Sequence, residues 1–396
     1  MDILFSALAS GIKQSKLNAN NQDTENKLDL AIIVLPENTI TVGVFTQNIF
    51  CAAPVIIAKN HIENNTRVLM INSGNANAGT GVASGEKGFD NALEICEMLS
   101  KELKISENQV LPFSTGVIGQ QLPMPCFENF IPDLVKNANS YDFDKVANAI
   151  MTTDTFSKTI KKQIVIDGKE VNIWAMTKGS GMIRPDMATM LSFILTDIIA
   201  DKKQLQNAIE IAVNGSFNRI TVDGDTSTND ACTLSATGES GVLICDKFQE
   251  ALNEVAKNLA HQIVRDGEGA TKFVEIKVGG RSDEDCLEVA YTVAHSPLVK
   301  TALFASDANW GRILAAVGRS KITALKQNDV SIYLGEVCLV KNGEIDSSYL
   351  EEYGAEEMQK DEILITIKIG KNDNYQSVWT TDLSYDYIKI NAEYRT

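Results

Sequence analysis

Four short segments of the chain combine glycine with small polar residues and lie next to apolar segments. They are residues 72–77 (NSGNAN), 114–119 (STGVIG), 178–181 (KGSG) and 223–230 (DGDTSTND). Such segments present backbone N–H groups and short hydroxyls without steric cover, which is what an oxyanion hole or a small-ligand pocket requires. Each segment taken alone is more typical of a tight turn. A binding or oxyanion site is therefore one interpretation, and a set of turns is the other.

The motifs of several common enzyme classes are missing from the sequence. It contains neither the GxxxxGK[ST] P-loop nor the GxSxG nucleophile elbow. Three scattered histidines do not indicate a zinc site and give no supporting pattern for a Ser–His–Asp triad. Asp223 and Asp225 flank Gly224 and offer carboxylates for Mg²⁺, although an isolated DGD is more often an Asx turn.

A transferase or hydrolase without a histidine base needs another group to accept the proton of its nucleophile. An N-terminal threonine meets this need because its own α-amine, which titrates near about 7.7–8.0, is the base. Met1 begins this chain, so such a threonine must come from an internal break. The best candidate is the Ala188–Thr189 bond, which follows a glycine-rich turn and precedes an apolar strand. A buried threonine that opens a strand is the alternative.

Alternating helical and strand patterns indicate the α/β class. Strands are predicted at residues 28–34, 67–71, 171–177, 190–196, 273–278, 329–334 and 363–369. Helices are predicted at residues 86–103, 202–213, 246–263 and 298–318, the last broken near 307–309. Residues 376–391 suggest a strand, a turn and a second short strand. The polar segment 130–165 is a candidate connection between two halves.

Composition argues against some classes of binding partner and some cellular locations. The chain has 396 residues and a formal net charge of −16, which argues against nucleic acid as the main partner. No apolar run approaches the roughly 20 residues of a membrane-spanning helix. Seven cysteines without a CxxC pair suggest reduced thiols in a cytoplasm. The first residues have no basic region or long apolar core, so we expect no signal peptide.

A series of motifs in order along the chain resembles the ornithine acetyltransferase (glutamate N-acetyltransferase) family of arginine biosynthesis. The motifs are residues 72–77, 114–119, 151–155 (MTTDT), 178–191 (KGSGMIRPDMATML), 224–230 (GDTSTND), 307–312 (DANWGR) and 379–396. Members of the family often have His or Ala where Arg184 stands and Asn where Asp186 stands. Those two differences lie in the turn and not at the predicted scissile pair. The resemblance covers essentially the whole chain.

The resemblance implies an α/β/β/α-like sandwich of two intertwined lobes, with chemistry like that of N-terminal-nucleophile hydrolases. It also implies self-cleavage between Ala188 and Thr189. The fragments, residues 1–188 and 189–396, would stay in one folded unit and assemble as a heterotetramer of two copies of each. No metal and no bound cofactor are expected.

The resemblance also assigns catalytic roles. Thr189 Oγ is expected to attack first the carbonyl of Ala188 and then the acetyl group of the donor, with the freed amine as base. The Thr115 hydroxyl and the Gly116 N–H are the expected oxyanion hole. Gly116 suits this role because no Cβ blocks the approach of the substrate.

The expected substrate contacts include one positively charged and one negatively charged side chain. They are Thr155, Lys178, Thr189, Glu268, Asn391 and Thr396, with Thr153 as an alternative to Thr155. A lysine suits the carboxylate of an amino acid, and a glutamate suits its ammonium group. A solvated surface charge is the alternative for Lys178 and Glu268. The tail is predicted to fold back over the pocket next to Thr189, with Asn391 and Thr396 reaching the substrate.

The implied reaction moves acetyl from N2-acetylornithine to glutamate through an acetyl-Thr189 intermediate. Relatives differ in whether acetyl-CoA is also a donor, and both possibilities stay open here. Two other functions stay open as well. One is a self-cleaving aminopeptidase or amidase of similar fold, and the other is a non-catalytic protein that binds a small molecule.

Overall fold

The structure is a computed structural model and describes residues 1–13, 27–184 and 190–393. The chain divides into two units. The first unit comprises Met1–Asn218 and Asp225–Ala260, and the second comprises Arg219–Gly224 and the described residues from His261 onward. Among the described helices, none has the length and apolarity that a membrane crossing requires.

The first unit contains two β-sheets. Their strands are β1 (Leu4–Leu8), β2 (Leu30–Val34), β3 (Ile40–Phe45), β4 (Val68–Asn75), β5 (Val110–Val117), β6 (Lys158–Ile166), β7 (Lys169–Lys178), β8 (Leu191–Thr196) and β9 (Ala231–Ala236). One sheet has the order β1-β2-β4-β5, and the other has the order β3-β9-β8-β7-β6. Parallel pairing joins β4 to β5 and β8 to β9, whereas the other neighbouring strands are antiparallel.

Helices alternate with these strands along the chain. They are α1 (Ala53–His61), α2 (Lys87–Leu103), α3 (Met124–Glu128), α4 (Ile131–Lys136), α5 (Phe143–Ala149), α6 (Lys202–Asn214) and α7 (Asp246–Arg265), the last of which continues past the unit boundary. The apolar face of α2 packs on the first sheet, and α6 packs on β3 and β9. Between the sheets, Phe113 of β5 meets Phe193 of β8 edge to face at 5.1 Å. The α/β class is confirmed, and this unit has the α/β/β/α layering.

The second unit is built on one mixed sheet. Its strands are β10 (Phe273–Gly279), β11 (Ser331–Leu334), β12 (Val337–Lys341), β13 (Glu344–Ile345), β14 (Glu362–Lys368) and β15 (Tyr375–Thr381), in the order β13-β12-β11-β14-β10-β15. Its helices are α8 (Asp283–Ala294), α9 (Pro297–Phe304), α10 (Trp310–Gly318), α11 (Glu351–Met358) and α12 (Tyr385–Ala392). The apolar residues of the sheet and of α8 form one core, against which Trp310 is partly buried.

The predicted helices match the structure closely. The patterns at 86–103, 202–213 and 246–263 correspond to α2, α6 and α7. The predicted break at 307–309 separates α9 from α10. Asn309 caps α10, because its side chain accepts a hydrogen bond from the Arg312 N–H.

Two of the predicted segments are wrong. Residues 130–165 are not a connection, since they form α4, α5 and most of β6 within the first unit. The tail forms β15 and then α12, where a second strand is predicted. The hydroxyl of Ser384 caps α12 by accepting from the Tyr387 N–H. A serine before an acidic first turn is a helix-start signal that outweighs the aromatic alternation. The fragment boundary at 188/189 differs from the unit boundaries and stays a prediction.

Candidate active site

Sheet topology in the first unit brings together three of the small-residue segments and residues 225–230 of the fourth. Because β4 and β5 run parallel, their carboxyl ends share an edge, and Gly74 lies beside Gly116. In the other sheet, the last residue of β7, Lys178, pairs with Leu191 at the start of β8. Leu191 in turn lies beside Ala231 at the start of the parallel strand β9. The segments 178–181 and 225–230 therefore reach the same edge of their sheet.

Asparagine side chains join the two edges. The amide of Asn229 donates to the carbonyl of Ala76 at 2.6 Å and to the carbonyl of Ser114 at 3.0 Å. Asn72 accepts from the Ser114 hydroxyl at 2.6 Å. These side chains are buried, so each lost hydrogen bond would leave a polar group without water. The network fixes the chain on both sides of the predicted oxyanion residues.

Thr115 and Gly116 occupy the end of β5. The Lys178 ammonium donates to Thr115 Oγ1 at 3.2 Å, so the hydrogen of that hydroxyl is available to another acceptor. Gly116 has φ +130°, and a Cβ there would lie 2.3 Å from the carbonyl carbon of Gly74 and 2.6 Å from the nitrogen of Asn75. Access of the substrate is therefore only part of the reason for a glycine at this position. Positive φ and the close approach of β4 require glycine here whether or not substrate is present.

A buried ion pair between Asp154 and Lys158 lies next to Lys178. Asp154 Oδ1 accepts from the Lys158 ammonium at 2.6 Å and from the Gly179 N–H at 2.7 Å, and Oδ2 accepts from the Thr152 N–H at 3.0 Å. Burial works to raise the pKa of Asp154, but the ammonium groups of Lys178 and Lys158 and the hydrogen bonds lower it to about 2. The site therefore holds a carboxylate that is ionised at neutral pH.

Sequence reasoning missed Asp154 and Lys158. The signal was available, since Asp154 lies in the MTTDT motif and Lys158 follows it by four residues. A buried, satisfied pair of this kind is costly to break by removing one partner.

The segment 151–155 also contains Thr153 and Thr155, the two alternative substrate contacts that the sequence predicts. Thr153 Oγ1 lies 2.6 Å from Ser180 Oγ, so this side chain ties the segment to the glycine-rich turn. Thr155 is exposed, where a ligand can reach it. Both stay candidate contacts. Lys178 is only 9% exposed, so its interpretation as a solvated surface charge is wrong.

A second lysine lies near this site. Lys13 donates to the carbonyls of Leu28 at 2.6 Å and Ala149 at 3.3 Å, and its Cγ would lie 3.0 Å from a Cβ on Gly74. Burial lowers the pKa of Lys13 to about 8, with a smaller contribution in the same direction from the positive charge of Lys178. Lys13 and Lys178 thus place two cations at this end of β4 and β5, beside the carboxylates of Asp29 and Asp154.

The second unit holds another predicted pair. Glu268 is 9% exposed, so it too is not a solvated surface charge. Its Oε2 accepts from the Asn391 amide at 2.8 Å, and the same amide donates to the carbonyl of Tyr387 at 3.0 Å. The Ser384 hydroxyl donates to the Gly269 carbonyl at 2.6 Å, which ties the start of α12 to the segment around Glu268.

Three predicted site residues lie outside the described residues: Ala188, Thr189 and Thr396. The structure therefore brings together Thr115, Gly116 and Lys178 in the first unit, and Glu268 and Asn391 in the second. Within residues 1–13, 27–184 and 190–393, no group of His, Cys, Asp and Glu is arranged to hold a metal ion.

Comparison with known proteins identifies the family. The family model of ArgJ matches residues 11–396. The chain belongs to the ArgJ family. This confirms the family to which the ordered motifs point, and the match covers the motifs from Asn72 to the tail.

Curated ArgJ relatives cover almost the whole chain. The arginine biosynthesis bifunctional protein ArgJ of Pseudomonas fluorescens is 47% identical over 377 residues, which are 93% of this chain and 92% of that protein. The protein of the same name from Psychrobacter arcticus is 45% identical over 404 residues, 100% of this chain and 96% of the relative. A solved structure of arginine biosynthesis bifunctional protein argJ from Bacillus halodurans is 39% identical, with a TM-score of 0.49. It covers 52% of this chain and 100% of its own.

Proposed function

We propose that this protein transfers acetyl from N2-acetylornithine to glutamate, giving ornithine and N-acetylglutamate, in arginine biosynthesis. One observation carries the proposal. The ArgJ family match spans residues 11–396 and includes every motif from which site residues were assigned. Relatives named arginine biosynthesis bifunctional protein ArgJ are 45–47% identical to this chain.

The proposed chemistry uses Thr189 as a carrier of the acetyl group. Its Oγ attacks the acetyl carbonyl of acetylornithine, ornithine leaves, and the amine of glutamate then attacks the acetyl ester. Each half-reaction passes through an oxyanion, for which the Thr115 hydroxyl and the Gly116 N–H are the proposed donors. The hydrogen bond from Lys178 to Thr115 Oγ1 supports this role, because it leaves the hydroxyl hydrogen for the oxyanion.

Charge complementarity supports amino acids as both substrates. Lys178 is the proposed partner of the α-carboxylate that acetylornithine and glutamate share. Glu268 is the proposed partner of an ammonium group, which is the side-chain amine of acetylornithine or the α-amine of glutamate. Thr155, Asn391 and Thr396 complete the proposed set of substrate contacts.

The proposal includes self-cleavage between Ala188 and Thr189. The fragments 1–188 and 189–396 remain together and pair into a cytoplasmic heterotetramer. No cofactor takes part, because Thr189 supplies both the nucleophile and the base. Acetyl-CoA enters the proposal as a second donor, and its use is tested separately.

The decisive experiment supplies acetylornithine to the purified protein with and without glutamate. We expect ornithine to accumulate with turnover only when glutamate is present, in equal amount to N-acetylglutamate. Turnover without glutamate would instead show a hydrolase, and no reaction with either would show a binding protein. Replacing acetylornithine with acetyl-CoA tests the second donor in the same assay.

A further inference from the structure

The Asp223 carboxyl, which the sequence offers as a magnesium ligand, contacts a helix. Residues 219–224 belong to the second unit, together with His261 and the described residues that follow it. There the Tyr387 hydroxyl of α12 donates to Asp223 Oδ2 at 3.3 Å. Within the described part of the chain, no group of His, Cys, Asp and Glu is arranged for a metal ion. The contact with α12 is therefore the observation that points to a role for Asp223.

The start of α12 is fixed by the backbone on which it packs. A Cβ on Gly269 would lie 2.5 Å from the Tyr387 nitrogen and 2.7 Å from Ser384 Oγ, so the helix lies directly against this glycine. Just before the helix, the buried carboxylate of Asp382 accepts from the N–H and the hydroxyl of Thr271. These contacts determine where α12 begins.

Side-chain hydrogen bonds hold the rest of α12, because little of its surface is buried. Tyr387 and Ile390 are half-buried, and the other residues of the helix are exposed. Tyr387 and Asn391 are four positions apart, so their side chains lie on one face of the helix. On that face Tyr387 contacts Asp223. One turn further along, the Asn391 amide donates to Glu268 Oε2 at 2.8 Å.

Asp223 belongs to a segment that is itself fixed. The Thr221 N–H donates to the carbonyl of Trp379 in β15 at 2.9 Å. Lys300 is also near: burial lowers the pKa of Lys300 to about 8, against the attraction of the carboxylates of Asp382 and Asp223. Asp223 therefore offers α12 an anchor that is tied to the sheet and not to the helix.

We propose that Asp223 and Tyr387 are positioning residues for recognition of the substrate ammonium group, an inference that rests on the proposed function. The hydrogen bond between them sets the orientation of α12, and this orientation keeps the Asn391 amide on Glu268. Without it the helix can turn away, and Glu268 loses the amide that holds it in place for the ammonium group. Neither Asp223 nor Tyr387 touches the substrate.

The first test removes one hydroxyl. Tyr387→Phe keeps the ring but cannot donate to Asp223, so KM for acetylornithine and for glutamate should rise about 3–5-fold, the loss expected for one hydrogen bond. The kcat should stay within about twofold of the wild type, because the acetyl-transfer step is untouched. Tyr385→Phe is the matched control on the same helix. Tyr385 is 80% exposed, and phenylalanine keeps its ring contact with Phe304.

Two substitutions of Asp223 separate the hydrogen bond from the charge. Asp223→Ala removes the acceptor and should raise KM as Tyr387→Phe does. Asp223→Asn keeps an acceptor oxygen for the tyrosine hydroxyl and should restore KM to near the wild-type value. If Asp223→Asn raises KM as much as Asp223→Ala, the charge itself binds the ammonium group and the positioning role is overturned.

A double variant tests whether Tyr387 acts through Asn391. Asn391→Ala removes the amide that the tyrosine is proposed to position. Adding Tyr387→Phe to Asn391→Ala should therefore raise KM no further. Effects that multiply in the double variant would show two independent contacts and overturn the inference.

Hydrogen exchange tests the same contact without catalysis. Amide exchange over residues 385–392, followed by mass spectrometry, should be faster in Tyr387→Phe than in the wild type or Tyr385→Phe. Unchanged exchange or an unchanged KM in a folded Tyr387→Phe overturns the inference. If Asp223→Ala does not fold, Tyr387→Phe still tests it. A wild type that transfers no acetyl group would contradict the proposed function instead, and exchange would still test the contact.

Discussion

The two regions that carry the predicted site residues are built differently. In the first unit, Lys178 donates to Thr115, and the nearby buried Asp154 accepts from the Lys158 ammonium and the Gly179 N–H. In the second unit, Glu268 is joined to α12 through the single amide of Asn391, and no residue of α12 is fully buried.

This difference matches two kinds of task. Charge that develops at one fixed atom is best stabilised by donors that do not move, which is the role we propose for the end of β5. A carboxylate held by one amide can adapt to ammonium groups at different distances along two substrates. We therefore expect changes in the first region to lower kcat and changes in the second to raise KM.

Substitution of Gly116 should have the largest effect. A Cβ at this position collides with the backbone of β4, so Gly116→Ala must move the N–H that we propose for the oxyanion hole. We expect kcat to fall about 10²–10³-fold in both half-reactions. Steady-state kinetics of acetyl transfer measures this. Gly119→Ala is the control, because it also has positive φ but its Cβ meets nothing within 4 Å. Equal effects of the two substitutions would show that strain alone matters.

Loss of the Lys178 charge should have the next largest effect. Lys178→Met keeps much of the side-chain volume but removes the hydrogen bond to Thr115 and the proposed carboxylate partner. Charged hydrogen bonds contribute about 1.5–3 kcal/mol, so kcat/KM should fall about 10²-fold. Steady-state kinetics with acetylornithine and with glutamate measures this change. Lys101→Met is the control, because Lys101 is exposed. An unchanged kcat would contradict the proposed contact with Thr115.

Changes in the second unit should affect affinity alone. Glu268→Gln keeps the shape of the side chain and removes the charge, so KM for acetylornithine and glutamate should rise about 10-fold or more. Self-cleavage should stay complete on intact-mass analysis. Asn391→Ala should have a smaller effect of the same kind. A fall in kcat with unchanged KM would place Glu268 in the chemistry and remove the contrast between the regions.

The smallest expected effect is on stability against acid. The pKa of Asp154 is lowered from 3.8 to about 2 in the folded protein, so this carboxylate stabilises the fold above about pH 4. That contribution, roughly 2 kcal/mol, is lost as the pH falls toward 2. Urea unfolding between pH 2 and 6 should show the loss in the wild type and not in Asp154→Asn. The exposed residue Asp144, changed to Asn, is the control and should keep the wild-type slope.

Helices and strands were predicted from the sequence more accurately than the tertiary contacts between them. The apolar period of α2 and the break at 307–309 are local signals, so both were predicted correctly. The pairing of β8 with β9 joins residues about 40 positions apart, and no local pattern specifies it. The arrangement that brings residues 178–181 and 225–230 to one edge of the sheet was therefore not predicted.

The residues that support a site are the hardest to predict from sequence. Gly116 was singled out from the sequence for the oxyanion hole, but the constraint that the structure shows comes from the backbone of Gly74 in another strand. The helix α12 was missed because its aromatic residues resemble those of a strand. Its cap, Ser384, was present in the sequence and would have corrected the prediction.

Trapping the acetyl-enzyme tests the central claim most directly. The protein is mixed with acetylornithine in the absence of glutamate, quenched in acid and analysed by intact mass and peptide mapping. The account predicts one acetyl group on Thr189 of the 189–396 fragment, one equivalent of ornithine released, and loss of the acetyl group when glutamate is added. Release of ornithine only when both substrates are present, with Thr189 never acetylated, would contradict it.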